Sequence, residues 1–426
     1  WAKISWSERV FTSTEKSPYL LEFGETGDTL WDSSQIGLFR HGVMHNNVRM
    51  TWGKAFANWI KDPEDAMKTS LNFNNRYALD GRDPSSIAGV MWCFGLFDRS
   101  FSPYNPVMGN VRNRTTEIHQ NRIDLERYSN WTEKSTLDKK LNIGIVGGGI
   151  SGSFAAMLLD NLGHNVTIWD KGRRASGRLS SKKLTSDSSI HVGSKSFDSL
   201  PKWMERYVSE WARLKLVRMD GNSLVPIKPL SEIIKHLNKE VGVNYGCKVT
   251  SLEEKNESVE ITVKNQDSIN KYQYDRVIVA LPIEQAIDIC NPLGLEINGV
   301  SDSTWVAWGP SDKIDLIPEN WESYYHTSGS GVMEIRIRND EIISDDKLNS
   351  RDVVDFVTDK LGVDSSNWQA HYWKYAIPVE GPGEIIHTSR VSIIGDGFGQ
   401  PLGTVGGAIE SSGRVVSEIH LSKLNF

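Results

Sequence analysis

Apolar residues recur at mixed helical spacings through the first 127 residues and gather into short continuous runs after residue 141. In GVMHNNVRMTWGKAFANWI (42–60), Val43, Val48, Met50, Trp52, Phe56 and Trp59 fall at helical intervals and predict a helix. DPEDAMKTSLNFNNRYAL opens a second helix, with Asp62 as N-cap, Pro63 in the first helical position and acidic residues in the first turn. At Leu141 the texture changes. NIGIVGGG reads as a buried strand ending in glycines, ISGSFAAMLLDNLGH as a helix closed by Gly163, and NVTIWD as a second strand. Together they make a βαβ unit. Further strands are expected at 243–254, 259–265, 275–281, 303–309, 333–339 and 390–395, and helices near 201–213, 229–240 and 351–361. The polar stretch YSNWTEKSTLDKK (128–140) is the expected linker.

Composition narrows the field. A chain of 426 residues has room for two or three domains. A formal net charge of −6 argues against a protein built mainly to bind nucleic acid. Cys93, Cys247 and Cys290 are far apart and match no metal spacing, so they read as buried thiols in a reducing compartment, with no metal site. No apolar run approaches the roughly 20 residues that cross a bilayer. A first residue of Trp1 is expected of a processed or trimmed chain.

The sharpest chemical signal is Gly147-x-Gly149-x-x-Gly152, placed after a predicted strand and opening a predicted helix. Gly147 permits the tight turn, Gly149 lets the backbone approach a pyrophosphate, and Gly152 lets helix and strand pack closely. The phosphates would meet free N–H groups at the positive helix end. Asp170 ends the second strand, where a carboxylate can accept hydrogen bonds from ribose hydroxyls.

Four later stretches extend this motif. DKGRRASGRLSS (170–181) resembles the second pyrophosphate motif of amine-oxidase-type flavoproteins, YGCKVTSLE (245–253) their adenine-side strand, YDRVIVALP (274–282) their return strand, and VSIIGDGFGQPLGTVGGAIESSG (391–413) their closing motif. HYWKYAIP (371–378) is similar to a substrate-domain strand of renalases. The resemblance spans nearly all of 141–426 and implies one FAD, held by Gly147, Gly149, Ile150, Ser151, Gly152, Asp170, Lys171, Arg178, Val249, Gly395, Asp396, Val405 and Ala408. It places Gly177 and Arg178 beside the phosphates, Asp396 on the ribityl chain, and the next helix under the isoalloxazine. Renalase-like proteins usually read Asp-His-Gly-Ala-Gln-Tyr-Phe where this chain reads His191-Val192-Gly193-Ser194-Lys195-Ser196-Phe197, and Gly406 and Ser412 stand where Glu and Gly are common. Lys195 is read either as an electrostatic group near flavin N1 or N5 or, more plainly, as a solvated surface lysine. His371 is an acid–base candidate or, on a strand, a packed residue beside Trp373 and Tyr375. These two are the catalytic candidates.

The first 127 residues carry a different resemblance. LWDSSQ (30–35), GVMHNNVRM (42–50), YALDGRDP (77–84), GVMWCFG (89–95) and NPVMGNVR (105–112) occur in the order found in the C-terminal half of the flavin domain of class II photolyases, related to cryptochromes. This implies an all-helical module. It matches Arg49 and Asp80 to an ion pair beside the flavin ring and Asn74 to the asparagine near N5. Trp31, Trp52 and Trp59 match the electron-passing tryptophans, and Trp92 matches a wall of the lesion pocket. With 15 tryptophans in the chain, these indoles also fit simple core packing. Ser85 stands where the family usually has Asn. Residues 1–131 hold 15 Lys+Arg and 15 Asp+Glu, so no net positive charge favours DNA and binding by this chain alone is not expected.

The expected architecture is therefore a photolyase-like all-α module (1–127), a linker (128–140) and a renalase-like FAD oxidoreductase (141–426). In the last, a Rossmann-like α/β FAD-binding domain (about 141–200, 241–300 and 388–426) accompanies an α+β substrate domain (about 201–240 and 301–387). Three functions stay open. The first is an FAD-dependent oxidoreductase taking hydride from a small donor such as NAD(P)H, with the helical module for docking. The second is a non-catalytic structural or assembly subunit, partnered through the apolar face of a truncated module. The third is a light-responsive or DNA-repair flavoprotein completed by a preceding segment. Renalase-like relatives suggest a chloroplast location, with the cytoplasm as the alternative.

Overall fold

The computed structural model describes all residues except 13, 134–138, 175, 184–188, 196, 198, 221–222, 312–315, 327–330, 339–341, 343–347 and 422–426. Residues 134–138 of the expected linker, and Ser196 of the departed renalase-like stretch, thus lie outside the described residues. The chain divides into two compact units, Trp1–Asp138 with Asn161–Gly163, and Lys139–Asp160 with His164–Phe426.

The named elements of the first unit are helices: α1 (Ala2–Ser7), α2 (Pro18–Phe23), α3 (Thr29–His41), α4 (Asn46–Trp59), α5 (Pro63–Tyr77), α6 (Pro84–Cys93), α7 (Thr116–Gln120) and α8 (Leu125–Glu133). Their ends follow local chemistry. The Asp62 carboxylate accepts the N–H groups of Glu64 and Asp65, each at 2.9 Å, as the sequence predicts for α5. The helix expected from residue 42 begins only at 46, because Gly42 takes φ 68° to close α3 and His45 caps α4. The expected linker likewise opens inside a helix. A Cβ on Gly37 would lie 2.9 Å from Thr132 Cγ2, so the bare glycine lets α8 close onto α3, and Thr132 is buried. Trp31, Trp52, Phe56 and Phe73 form the centre of this unit's core.

The second unit begins with β1 (Asn142–Val146), α9 (Ile150–Asn161) and β2 (Asn165–Asp170), the predicted βαβ. It continues through hairpin β3 (Ser181–Lys183) and β4 (Ser189–His191), then α10 (Glu205–Arg213), hairpin β5 (Val217–Asp220) and β6 (Ser223–Pro226), and α11 (Ser231–Leu237). Next come β7 (Gly242–Tyr245), β8 (Lys248–Glu254), β9 (Val259–Lys264), β10 (Ile269–Tyr274), β11 (Arg276–Val279) and α12 (Ile283–Cys290). The chain then runs through β12 (Val300–Pro310), β13 (Glu322–His326), β14 (Val332–Arg338), α13 (Ser350–Leu361), β15 (Gln369–Glu380), β16 (Ile386–His387), β17 (Val391–Ile393) and α14 (Val405–Leu421).

Beside the two hairpins, three sheets organise the strands of the described residues. A six-stranded sheet has the order β16-β17-β11-β1-β2-β7, parallel apart from the edge strand β16. Its central strand β1 is buried from Ile143 to Val146, the continuous apolar run that a strand covered on both faces requires. A three-stranded antiparallel sheet, β10-β9-β8, packs beside it through Val249, Ile261 and Val279. A four-stranded antiparallel sheet, β13-β14-β12-β15, is backed by α13. Strand β10 escaped prediction because INKYQY is exposed at five of six positions and shows no apolar alternation.

Candidate functional site

The site is built at the carboxyl end of β1. Gly147 has φ 106°, and a Cβ there would lie 2.3 Å from the carbonyl oxygen of Ala280. A Cβ on Gly152 would lie 2.0 Å from the carbonyl oxygen of Gly147. Both positions exclude a side chain by contact with backbone. Gly149 differs: a Cβ there would meet nothing within 4 Å. Its face is open, as backbone that approaches a ligand must be.

Asp170, at the end of β2, holds this loop. Its Oδ2 accepts the N–H of Gly148 at 2.6 Å and its Oδ1 that of Gly172 at 2.5 Å. On the far side, Arg178 pairs with Asp396 at 2.5 Å and donates to the Ala376 carbonyl at 3.1 Å. Ser412 occupies its departure from the usual Gly by donating to the carbonyl of Ser151 at 2.9 Å, tying α14 to α9. Thr404 accepts the N–H of Gly407 at 2.9 Å and so caps the start of α14.

These parts wall a cavity of about 1290 Å³. Of the thirteen residues expected to hold the cofactor, twelve line it, and Gly152 stands behind the wall against Gly147. The volume exceeds the roughly 300–1,000 Å³ of a drug-sized ligand pocket. At one end lie the glycine loop, Asp170, Lys171 and Val249; at the other lies the four-stranded sheet, with Val306, Tyr324, Arg336, His371 and Trp373. The residues present fit a flavin dinucleotide: an open glycine at a helix start, a carboxylate at the end of β2, and a second helix, α14, whose first turn lines the wall.

Lys195 is not a solvated surface lysine. Its ammonium pairs with Glu334, whose side chain is fully buried on β14, and sits 4.5 Å from the centre of the Tyr324 ring. Burial pulls it down from the ordinary lysine range to about 8, against the opposing pull of Glu334. His371 packs edge-to-face on Trp373 at 4.6 Å, and burial, then Lys182, lower its affinity for a proton. Glu334, Arg336 and Tyr324 were not anticipated. The signal was available in VMEIRIR: strand alternation places Glu334, Arg336 and Arg338 on one face and Met333, Ile335 and Ile337 on the other, so one face of β14 is charged from residue 334 onward.

The helical unit brings its anticipated residues together differently. Arg49 pairs with both carboxylate oxygens of Asp80 at 2.8 and 2.9 Å and donates to Asn74 Oδ1 and to Ser86 Oγ. Asn74, fully buried, donates to the Gly81 carbonyl and to Ser86, both at 3.0 Å. Trp31 stacks on Trp52 at 6.4 Å and meets Trp59 edge-on at 5.2 Å. Trp31 donates to the Trp52 carbonyl at 3.0 Å and Trp52 to Gln35 at 2.9 Å. Trp92 stands apart on α6, 46% exposed. Ser85 serves the start of α6, where its N–H meets Asp83 at 2.8 Å. Among the described residues, no cluster suits a metal ion and no helix is long and apolar enough to cross a membrane.

Residues 145–211 match the NAD(P)-binding Rossmann-like domain, and residues 205–287 match the flavin containing amine oxidoreductase family. A separate segment matches deoxyribodipyrimidine photo-lyases. The Oryza sativa subsp. japonica enzyme is 36% identical over 128 residues, 30% of this chain and 24% of that one. The Arabidopsis thaliana enzyme is 39% identical over 115 residues, 26% of this chain and 23% of that one. The chain joins a photolyase-like part to an amine-oxidase-like part. The fusion thus spans about a quarter of the length of the photolyases it matches. Among solved structures, it overlays CabE, an aromatic hydroxylase from angucycline biosynthesis, with a TM-score of 0.49 and 13% identity, over 66% of this chain and 63% of that one. Its amine-oxidase-like part has the Rossmann-like fold of a flavin oxidoreductase.

Proposed function

We propose that residues 141–426 form a renalase-like, FAD-dependent oxidoreductase that takes hydride from a small-molecule donor such as a reduced nicotinamide. The observation that carries this reading is the cavity wall, in which the open backbone of Gly149 faces a space shared with the charged sheet end. When bound, FAD supplies the hydride-accepting ring. The protein's own groups do the rest. The loop at Gly147–Gly149 and the start of α9 offer N–H groups to the pyrophosphate, Asp170 faces the ribose, and Arg178 with Asp396 flanks the middle of the cavity. The four-stranded sheet walls the donor's end of the cavity. The helical part serves as a docking or stabilising element, supported by the exposed side chains of Leu79, Trp92 and Phe97.

The test is the absorption spectrum of the purified full chain, with flavin counted per polypeptide, followed by anaerobic addition of NADPH. One FAD per chain that bleaches is the expected result. A chain that binds no flavin sinks the reading, and a flavin that resists NADPH and other hydride donors sinks the enzymatic part of it.

A further inference from the structure

The sheet end of the cavity holds a charged cluster whose groups are not equivalent. Glu334 is fully buried and touches two cations, the Lys195 ammonium and the Arg336 guanidinium, the latter through Nε at 3.2 Å. Arg336 is committed. It donates to the carbonyl of His191 at 3.3 Å and to that of Gly193, and a guanidinium does not release its proton. His371 is packed edge-on against Trp373, and burial, then Lys182, leave it a weaker proton acceptor than an ordinary imidazole. Burial pushes the Tyr324 hydroxyl up, so it stays protonated. Lys195 differs from all three. Its side chain is 18% exposed, it lines the cavity, and one carboxylate and one ring face fix its ammonium without enclosing it.

We infer that Lys195 is the proton-exchanging residue of this cavity and that Glu334 is its positioning residue. The inference rests on the oxidoreductase reading for its use. Consider a donor whose reacting carbon bears an N–H or O–H. With FAD held by the cavity residues, the C–H bond would break and its electron pair would leave as hydride to the ring that the cofactor supplies. The electrons of the N–H or O–H bond become the second bond of C=N or C=O. The released proton goes to the neutral Nζ of Lys195 and from there to solvent. Burial places the ammonium's proton affinity near the working range of such a base. The charged groups that set it are Glu334 and Glu322, which favour the ammonium, and Arg336, which opposes it.

Competitive acetylation of the full chain across pH, read by mass spectrometry, tests this without requiring flavin. Lys195 is expected to label with a midpoint near pH 8, about two pH units below the ordinary lysine value. Glu334→Gln removes the group that favours the ammonium and should lower the midpoint by about one pH unit or more, a tenfold change in the protonation equilibrium. Glu322→Gln should move it less, in the same direction, and serves if the first variant fails to fold. In the flavin-loaded chain, the rate of flavin reduction by an N–H or O–H donor should rise with pH through the same midpoint and shift with it in both variants. A Lys195 that titrates with the exposed lysines, or that neither variant moves, overturns the inference. So does a reduction rate that ignores the midpoint. A chain without flavin overturns the proposed function instead, and the labelling curve still decides on the Lys195–Glu334 pair.

Discussion

Two polar constellations in this chain invite the same functional reading and differ in what they leave available. In the helical unit, Arg49, Asn74, Asp80 and Ser86 bond to one another. Asn74, expected near a flavin nitrogen, directs its amide N–H groups to Gly81 and Ser86. In the sheet unit, Gly149, Asp170, Lys195 and Arg336 all border one large cavity. A motif names residue types at spacings that chemistry needs. Whether the groups can act depends on whether their bonding is already satisfied inside the protein. Groups of both constellations are bonded within the protein, but only those of the amine-oxidase-like part also border the large cavity, where a ligand can reach them.

The largest expected effect separates fold from site inside the sheet unit. Gly149→Val places its side chain in open space, so the full chain should keep its melting temperature while flavin per chain falls to near zero. Gly152→Val forces a Cβ within 2.0 Å of the Gly147 carbonyl oxygen and should destabilise the unit by about 3 kcal/mol or more as well. If Gly149→Val retains flavin at wild-type stoichiometry, the cofactor does not lie on this loop.

Next in size is the core of the helical unit. Trp52 is 1% exposed, stacks on Trp31 and meets Phe56 edge-on at 4.9 Å. Trp52→Ala should cost about 3–5 kcal/mol, seen as faster hydrogen exchange of α3 and α4 amides and a lower urea midpoint. Trp52→Phe keeps the ring and loses the bond to Gln35, and should cost only about 1–2 kcal/mol. A small loss in Trp52→Ala would mean that these indoles are not retained for packing, and would restore an electron-passing role to the comparison.

The third test uses pH. The folded value for Lys195, about 8, lies below the unfolded value near 10.4. Between these values the unfolded chain holds the proton and the folded chain does not. Stability therefore rises with pH across that window, and the ammonium's cost is at its full size below pH 8. Going from pH 7 to pH 10 should stabilise the wild type by about 2 kcal/mol relative to Lys195→Met, measured by chemical denaturation. Equal pH dependence in the two proteins would return Lys195 to the ordinary surface population.

Much of this was legible in the sequence, and the gaps have physical causes. The βαβ fingerprint could be read because a glycine loop between strand and helix is a local requirement. The Asp62 and Pro63 start of α5 could be read because capping chemistry is local too. Glu334 could not be assigned a partner, because Lys195 lies 139 positions away and only the packing of β14 against the loop after β4 joins them. Strand β10 stayed hidden because its pairing with β9 comes from backbone bonds, which leave no mark on exposed side chains. The later part of α8, from residue 128, was mistaken for linker because its docking depends on a glycine some 95 positions earlier, Gly37 against Thr132.

The smallest effect bears on the closed network itself. Asp80 is 56% exposed, so its pair with Arg49 is screened, and Asp80→Asn should cost less than about 1 kcal/mol. The hydrogen bond from Arg49 holds the Asp80 carboxyl below its usual range. A carboxyl depressed in the folded state stabilises above its unfolded value, near 3.9, and loses that contribution as pH falls. The difference between wild type and Asp80→Asn should therefore be present at pH 6 and shrink towards pH 3. Arg49→Met should cost more, about 1–3 kcal/mol, because it strips a donor from the buried oxygen of Asn74. If the two substitutions cost the same, the ion pair and not the buried amide organises the network, and the photolyase-like part would then hold an exposed charged site comparable to that of its neighbour.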